Sequence, residues 1–163
     1  MSIEEELVNL LIDKKYFISF AESLTGGLCS SKIVNISNAS KVLSESYVTY
    51  HDEAKEKILN VNKNTIDKYN VVSIEVAREM VLGLYNITHS NVCVSLTGVA
   101  GPLGGTKEIP VGTVCMGFLV NDSLILRKEI FTGSRNEIRE KAANYALKTV
   151  IELVNLEDEN KNN

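Results

Sequence analysis

The sequence lacks most of the features that mark membrane, metal-binding and nucleic-acid-binding proteins. No apolar run approaches the ~18 residues needed to cross a bilayer, so we expect no membrane contact. The two histidines, His51 and His89, share no motif, and we expect neither a metal nor a cofactor. The net charge is −4 with no run of basic residues, which disfavours nucleic acid as a partner. The acidic N-terminus is not typical of a signal peptide, so we expect a cytoplasmic protein.

The cysteines are too few and too widely spaced for a disulfide framework or a zinc site. Cys29, Cys93 and Cys115 each stand among apolar residues, so we interpret them as reduced core residues. The length of 163 residues and the hydrophobic fraction of 44% suit a single domain with its own core. We expect this domain to cover residues 1–155, followed by a disordered tail at 156–163.

Helix-like and strand-like segments alternate along the chain. Apolar residues at helical spacing predict helices at 3–14, 25–34, 51–59, 74–86 and 134–154, and residues 62–70 predict a short helix or a turn. Alternating or β-branched runs predict strands at 16–21, 44–50, 92–98, 111–120 and 123–131, the last two joined in a hairpin through Asn121-Asp122. This order predicts an α/β fold, a three-layer α/β/α sandwich with a mixed sheet.

Two glycine-rich loops follow predicted strands, "ESLTGG" (22–27) and "TGVAGPLGGT" (97–106). In open α/β sheets, ligands bind beyond the carboxyl ends of the strands, and glycine lets the backbone approach a ligand closely. The N–H groups at the start of the 25–34 helix favour an anion. The two loops together predict a phosphate- or carboxylate-bearing ligand, although glycines that only make tight turns would produce the same pattern.

Ser23 stands at the corner between the first strand and the following helix. A serine hydroxyl becomes a good nucleophile only when a base takes its proton. The sequence contains no GxSxG elbow, and neither histidine indicates a serine–histidine–acid triad. A lysine would be the other activating partner, but the residue three positions after Ser23 is Gly26. The residues alone therefore leave Ser23 as either a helix cap or a nucleophile.

Six segments, in order along the chain, carry a resemblance to a known family. They are "AESLTGG" (21–27), "YVTYHDEAKEKILNV" (47–61), "VVSIEVAREM" (71–80), "SLTGVAGPLGGT" (95–106), "PVGTV" (110–114) and "FTGSRNEIR" (131–139). Together they resemble the CinA C-terminal domain family, which comprises nicotinamide-mononucleotide amidohydrolases, also described as competence- or damage-inducible proteins. The resemblance implies an α/β/α fold and hydrolysis of nicotinamide mononucleotide to nicotinate mononucleotide and ammonia.

The resemblance also implies a serine–lysine site and a homo-oligomeric protein. Ser23 would be the nucleophile, Lys55 the base, and Tyr50 would relay a proton or orient the pair. Backbone N–H groups at 25–27 or 104–106 would hold the oxyanion. Substrate contacts are expected from Thr25, Gly26, Gly27, Gly101, Gly104, Gly105, Thr106, Arg135 and Arg139. Without the resemblance, Lys55 would be interpreted as part of a solvated helix face and Tyr50 as a core ring.

Arg135 and Arg139 lie one turn apart at the start of the last predicted helix, so we expect both to face one direction. A guanidinium fork suits a phosphate. The alternative is that both arginines form ion pairs with Glu137, Glu140 or another surface acid.

Three departures from the family pattern bear on the substrate. His51-Asp52 stands where the family commonly has Ser or Asn, Ser134 replaces the aspartate of "GDR", and Ile109 replaces a lysine before "PVGTV". These departures leave the predicted pair intact but affect the expected phosphate contacts. The alternative function is therefore a nucleotide-binding or regulatory module that has kept the pocket and lost the chemistry.

Overall fold

A computed structural model describes residues 1–162, in which helices enclose a five-stranded sheet. The helices are α1 (Ile3–Lys14), α2 (Leu28–Val34), α3 (Asp52–Leu59), α4 (Lys63–Tyr69), α5 (Ile74–Thr88) and α6 (Arg135–Lys161), with a 3₁₀ turn at Ala39–Lys41. The strands are β1 (Ile18–Glu22), β2 (Tyr47–Val48), β3 (Val92–Gly98), β4 (Thr113–Val120) and β5 (Ser123–Ile130).

The sheet is mixed, as predicted, with the strand order β2-β1-β3-β4-β5. β1 pairs in parallel with β2 and β3, whereas β4 and β5 are antiparallel and form the predicted hairpin. Glu22 at the end of β1 is in register with Leu96 near the end of β3. Consequently, the two glycine-rich loops leave the same edge of the sheet side by side.

Helices cover both faces of the sheet, which confirms the three-layer α/β/α architecture. Ile18 and Phe20 of β1 pack with apolar residues of α1, α2 and α6 on one face. Ala21 points to the other face and packs with residues of α3 and α5. Because both faces are covered, β1 and β4 are buried along their whole length, and the polar residues of the central strands, such as Ser19 and Ser95, are hydrogen-bonded.

The cysteines confirm the prediction that they are reduced core residues. All three are free and buried. Burial raises the pKa of Cys93 and of Cys115 to about 11, which keeps both thiols protonated. Within residues 1–162, no helix is long and apolar enough to cross a membrane. No cluster of three or more His, Cys, Asp or Glu side chains in that range could hold a metal ion.

Two predicted elements are shorter in the structure by three residues or more. The strand predicted at 44–50 is paired only over Tyr47–Val48, because the Ser46 hydroxyl accepts the Phe20 N–H at 3.0 Å in place of a backbone partner. The helix predicted from residue 25 begins at Leu28. Gly26 and Gly27 delay it, since their φ angles of 59° and 103° are left-handed.

The last helix is longer than predicted, and the prediction of a disordered tail is wrong for residues 156–161. α6 continues to Lys161 because tertiary contacts hold its C-terminal turns. The Glu157 carboxylate accepts hydrogen bonds from the Tyr16 hydroxyl at 2.8 Å and the Asn121 amide at 2.9 Å. Asp158 forms an ion pair with Lys14. Residue 163 lies outside the described residues.

Gly83 of α5 lets the C-terminal end of α3 approach closely, and we expect Gly83→Ala to destabilise the protein. An alanine Cβ there would lie 1.9 Å from the Leu59 carbonyl oxygen. Overpacking of this kind costs about 1–3 kcal/mol, although alanine is ordinarily favoured over glycine inside a helix by ~1 kcal/mol. Urea denaturation measures the change, with Asn86→Ala at an exposed position of α5 as the control. Equal stability of both variants would show that α3 does not depend on this contact.

Candidate active site

A cleft of about 300 Å³ opens at the edge of the sheet where β1, β2 and β3 end. Its walls come from the segments that follow these three strands and from the start of α6. Among the lining residues are Ser23, Tyr50, Lys55, Gly101 and Arg135. The volume is at the lower end of the range for small-molecule sites. The cleft therefore lies where ligands bind in open α/β sheets.

Ser23 is held at a sharp turn at the end of β1. Its N–H donates to the Leu96 carbonyl at 3.0 Å, which continues the pairing with β3. Its own carbonyl accepts the Gly26 N–H at 2.9 Å, and this hydrogen bond turns the chain away from the sheet. The left-handed φ of Gly26 permits that turn. Ser23 is thereby fixed at the wall of the cleft.

Lys55 lies in the first turns of α3, and its side chain is only 1% exposed. Its Nζ atom lies 3.1 Å from Ser23 Oγ and 3.1 Å from the Tyr50 carbonyl oxygen. Burial lowers the pKa of Lys55, and the Asp52 carboxylate, 3.9 Å away, partly opposes this effect. Burial disfavours the charged form of an amine, so Lys55 is suited to accept a proton from Ser23.

Tyr50 contributes its main chain to the pair and its side chain to the mouth of the cleft. The Tyr50 carbonyl is within 3.4 Å of Ser23 Oγ and 3.1 Å of Lys55 Nζ. The Tyr50 hydroxyl instead accepts a hydrogen bond from Arg135 Nη2 at 2.8 Å, and the residue is 56% exposed. The structure therefore brings the backbone of Tyr50, and not its hydroxyl, to the serine and lysine.

The start of α2 binds an anion, but that anion is the protein's own Glu22. The Glu22 carboxylate is fully buried and accepts the Cys29 N–H at 2.8 Å and the Ser30 N–H at 3.1 Å. It also accepts the Ser30 hydroxyl at 2.8 Å. The N-cap residue, Gly27, has no side chain to do this. The expectation of a ligand anion at this helix start is therefore wrong.

The second glycine-rich loop forms a backbone wall of the cleft. Gly101 and Gly104 have left-handed φ angles of 81° and 93° and line the cleft, as does Thr106. The Gly101 carbonyl accepts a hydrogen bond from Arg135 Nη1 at 2.7 Å. Gly105 lies outside the lining, and a Cβ there would be 2.7 Å from the Val111 nitrogen. Gly105 thus serves a close approach within the loop.

Thr25, Gly26 and Gly27 do not line the cleft. They belong to a segment behind it that Arg139 supports. Arg139 Nε donates to the Leu24 carbonyl at 2.8 Å, and Arg139 Nη2 donates to the Thr25 carbonyl at 2.9 Å. These contacts hold the chain directly after Ser23, so this segment has a supporting place in the site.

The two arginines of α6 point to different places, and the expectation that both face one direction is wrong. Arg135 lines the cleft and donates to the Gly101 carbonyl and the Tyr50 hydroxyl. Arg139 is directed at the loop after Ser23. Neither forms an ion pair with a carboxylate within residues 1–162. Because its partners are neutral, Arg135 presents an uncompensated positive charge at the cleft.

The sequence model of the CinA C-terminal domain matches residues 1–154. The chain belongs to the CinA C-terminal domain family. A CinA-like protein from Petrotoga mobilis is 44% identical over 153 residues, which cover 94% of this chain and 38% of that protein. A CinA-like protein from Kosmotoga olearia is 47% identical over 146 residues, covering 90% and 35% respectively. The chain therefore spans less than two-fifths of the length of these curated relatives.

Solved structures from the family have the same fold. The competence damage-inducible protein A of Klebsiella pneumoniae superposes with a TM-score of 0.89 at 27% identity, covering 92% of this chain and 93% of that chain. The competence/damage inducible protein CihA of Agrobacterium tumefaciens gives a TM-score of 0.87 at 31% identity, with coverages of 94% and 96%. The CinA-family fold is therefore established for nearly the whole chain.

The three departures from the family pattern have different structural consequences. Ser134 is the N-cap of α6 and forms a capping box with Glu137, a position that serine and aspartate fill equally well. Ile109 lines the cleft and packs against an apolar cluster that includes Val72. Asp52 also lines the cleft. Two of the departures thus change the chemistry of the cleft wall.

Some residues of the site were not predicted. Glu22 is the first residue of the "ESLTGG" loop. The available signal was its position, at the end of a buried strand and a few residues before a helix that has no side-chain cap. Asp52 lies three residues before the expected base, but its neighbour, the exposed Glu53, looks the same in the sequence. The wall formed by Asn70, Val71 and Val72 carries no local signal, because its place depends on tertiary packing.

We expect Arg135→Ala to affect mainly ligand affinity and Arg139→Ala to affect mainly stability. If Arg135 contacts the phosphate of the mononucleotide expected from the sequence, its loss should weaken binding of that ligand roughly 10- to 100-fold, the effect of one charged hydrogen bond, with a smaller change in melting temperature because its partner Tyr50 is exposed. Loss of Arg139 should instead lower the melting temperature, because the Leu24 and Thr25 carbonyls lose their donors. Isothermal titration calorimetry and thermal unfolding measure the two effects. Unchanged affinity in Arg135→Ala would contradict a phosphate contact, and Arg135→Lys shows how much depends on charge alone.

Proposed function

We propose that the protein is a serine–lysine amidohydrolase that converts nicotinamide mononucleotide to nicotinate mononucleotide and ammonia. The observation that carries this proposal is the 3.1 Å contact between Lys55 Nζ and Ser23 Oγ, made by a buried lysine at the wall of a cleft. Membership of the CinA family supports it, as does the position of the cleft at the carboxyl ends of the parallel strands.

The first half of the reaction forms an acyl enzyme. Neutral Lys55 has a lone pair for the Ser23 hydroxyl proton and an N–H for the Tyr50 carbonyl, so that the carbonyl orients the base. Ser23 Oγ attacks the carboxamide carbon while its proton passes to Lys55. The resulting ammonium of Lys55 then protonates the amide nitrogen. The carbon–nitrogen bond breaks, ammonia leaves, and the nicotinoyl group remains as an ester on Ser23.

The second half restores the serine. A water molecule attacks the ester carbon and gives a proton to Lys55. The bond between the carbon and Ser23 Oγ breaks, and Lys55 returns that proton to the serine oxygen. Nicotinate mononucleotide leaves as the product. Lys55 thus takes protons from Ser23 and from water and gives them to the amide nitrogen and back to Ser23, which requires the short distance between the two side chains.

The backbone hydrogen bonds reduce the number of N–H groups that could bind the oxyanion. Of the N–H groups expected at 25–27 and 104–106, that of Gly26 donates to Ser23 and that of Thr106 to Ile109. The Leu24 N–H donates to no protein acceptor within residues 1–162, and Leu24 lines the cleft directly after the nucleophile. We therefore propose the Leu24 N–H as one donor, which is the usual position in serine hydrolases.

Replacing either member of the pair should abolish ammonia release while leaving the fold intact. Ser23→Ala and Lys55→Met should each lower kcat by at least about a thousandfold, and the double variant should be little worse, because the two residues act as one unit. Ser31→Ala and Lys57→Met, at exposed positions, serve as matched controls. Near-normal turnover by Ser23→Ala would show that Ser23 only makes the turn.

The same assay decides between an enzyme and a binding module. Purified protein that binds nicotinamide mononucleotide but releases no ammonia would be a nucleotide-binding or regulatory module. Activity lost on addition of a chelator and restored by a metal would overturn the mechanism given above. The homo-oligomeric state and cytoplasmic location expected from the sequence stay predictions.

We expect activity to rise with pH, because catalysis requires neutral Lys55. Burial lowers the pKa of Lys55 below that of a free lysine, and the Asp52 carboxylate opposes this shift. Asp52→Asn removes the opposing charge, so the pKa of Lys55 should fall further and the rising limb should move to lower pH. The pH dependence of kcat/KM measures this shift, with Glu53→Gln as the control. A limb that moves to higher pH, or not at all, would contradict the role of Lys55 as base.

A further inference from the structure

Asp52 is the one carboxylate among the residues of the described chain that line the cleft, beside the two basic residues Lys55 and Arg135. Its side chain is 52% exposed, and Oδ1 lies 3.9 Å from Lys55 Nζ. That amine is 3.1 Å from Ser23 Oγ. A negative charge therefore lies close to the reacting hydroxyl and remains open to a ligand.

Asp52 and Glu53 are both acidic residues in the first turn of α3, but only Asp52 also lines the cleft. The N-cap of α3 is His51, whose Nδ1 accepts the Glu53 N–H at 3.4 Å. Glu53 places a second carboxylate in the first turn, where it interacts with the helix dipole without lining the cleft. The distance from Asp52 to Lys55 is longer than a hydrogen bond. The carboxylate is thus free to interact with a bound substrate.

We propose that Asp52 selects carboxamides carried on a cationic ring, as in an N-substituted pyridinium, over otherwise identical neutral amides. This inference rests on the proposed function. In a nicotinamide ring the carboxamide carbon is attached directly to the ring. A substrate attacked by Ser23 therefore brings the ring charge close to the dyad of Ser23 and Lys55. A carboxylate beside Lys55 then attracts the positive charge of the ring.

The charges of the cleft match a substrate with two charges of opposite sign. The Tyr50 carbonyl contacts the dyad of Ser23 and Lys55, and the Tyr50 hydroxyl contacts Arg135. About the length of a tyrosine side chain therefore separates the dyad from Arg135. Asp52 lies at the dyad end, and Arg135 lies at the other. A pyridinium ribose phosphate carries its cation near the scissile amide and its anion at the far end, which is the same order.

The test compares nicotinamide mononucleotide with its reduced dihydropyridine form, which carries the same carboxamide and ribose phosphate on a neutral ring with one added hydride. Their dissociation constants are measured by calorimetry in Ser23→Ala, which prevents turnover. We expect the cationic form to bind about three- to tenfold more tightly, the size of a partly exposed charge pair. Asp52→Asn in the same background should abolish this preference by weakening only the cationic form. Glu53→Gln removes the same charge outside the cleft and should keep the preference.

Each other outcome overturns a defined part of the inference. An equal preference with and without Asp52, or no preference in the parent, would overturn the role of Asp52 and leave the proposed amidohydrolase intact. Failure of both ligands to bind would overturn the substrate class, and with it this inference, whereas ammonia release by the unmodified protein is measured independently.

Two further variants separate direct attraction from indirect effects. On a Lys55→Met background the preference should again depend on Asp52. If it does not, Asp52 acts only through the charge of the lysine, and direct contact with the ring is wrong. Asp52→Ser, which suits a helix start, is a second neutral variant should Asp52→Asn fail to fold, and it should abolish the preference in the same way.

Discussion

The burial of the Lys55 amine against Ser23 is the constraint on which the site depends. An amine removed from water loses the hydration that stabilises its charged form, and a buried polar group left without partners costs about 1–3 kcal/mol. The fold meets this cost with the Ser23 hydroxyl and the Tyr50 carbonyl. The partners that stabilise the lysine are therefore the same groups that the proposed proton transfer would use.

Residues that do not touch the cleft keep the pair in place. The Glu22 carboxylate accepts the free N–H groups at the start of α2, so that the chain can turn sharply after β1. Arg139 holds two carbonyls of the turn that follows Ser23. Gly83 allows α5 to pack closely on α3, which carries the lysine. Because these supports come from separate segments, the geometry of the site is a property of the whole domain.

The sequence predicted what local patterns determine. Hydrophobic periodicity identified the strands and helices, and the glycine-rich loops after two strands located the cleft, because parallel strands end at one edge of a sheet. Residues whose positions depend on tertiary contacts were harder to assign. Arg135 and Arg139 look equivalent in the sequence, yet their side chains turn to different neighbours. α6 extends past its apolar repeat because Glu157 and Asp158 find partners on α1 and the hairpin loop.

The members of the site are far apart along the chain, and this has a consequence for the protein as it folds. Ser23, Lys55 and Arg135 meet only after β1 has paired with β3 and both helical layers have closed over the sheet. Contacts of such long sequence separation require loop closure before they contribute any stability. In a partly folded or newly synthesised chain, Ser23 is an ordinary alcohol and Lys55 an ordinary hydrated ammonium. The reactivity that we propose for Ser23 therefore requires the completed fold, and an incomplete chain would lack it.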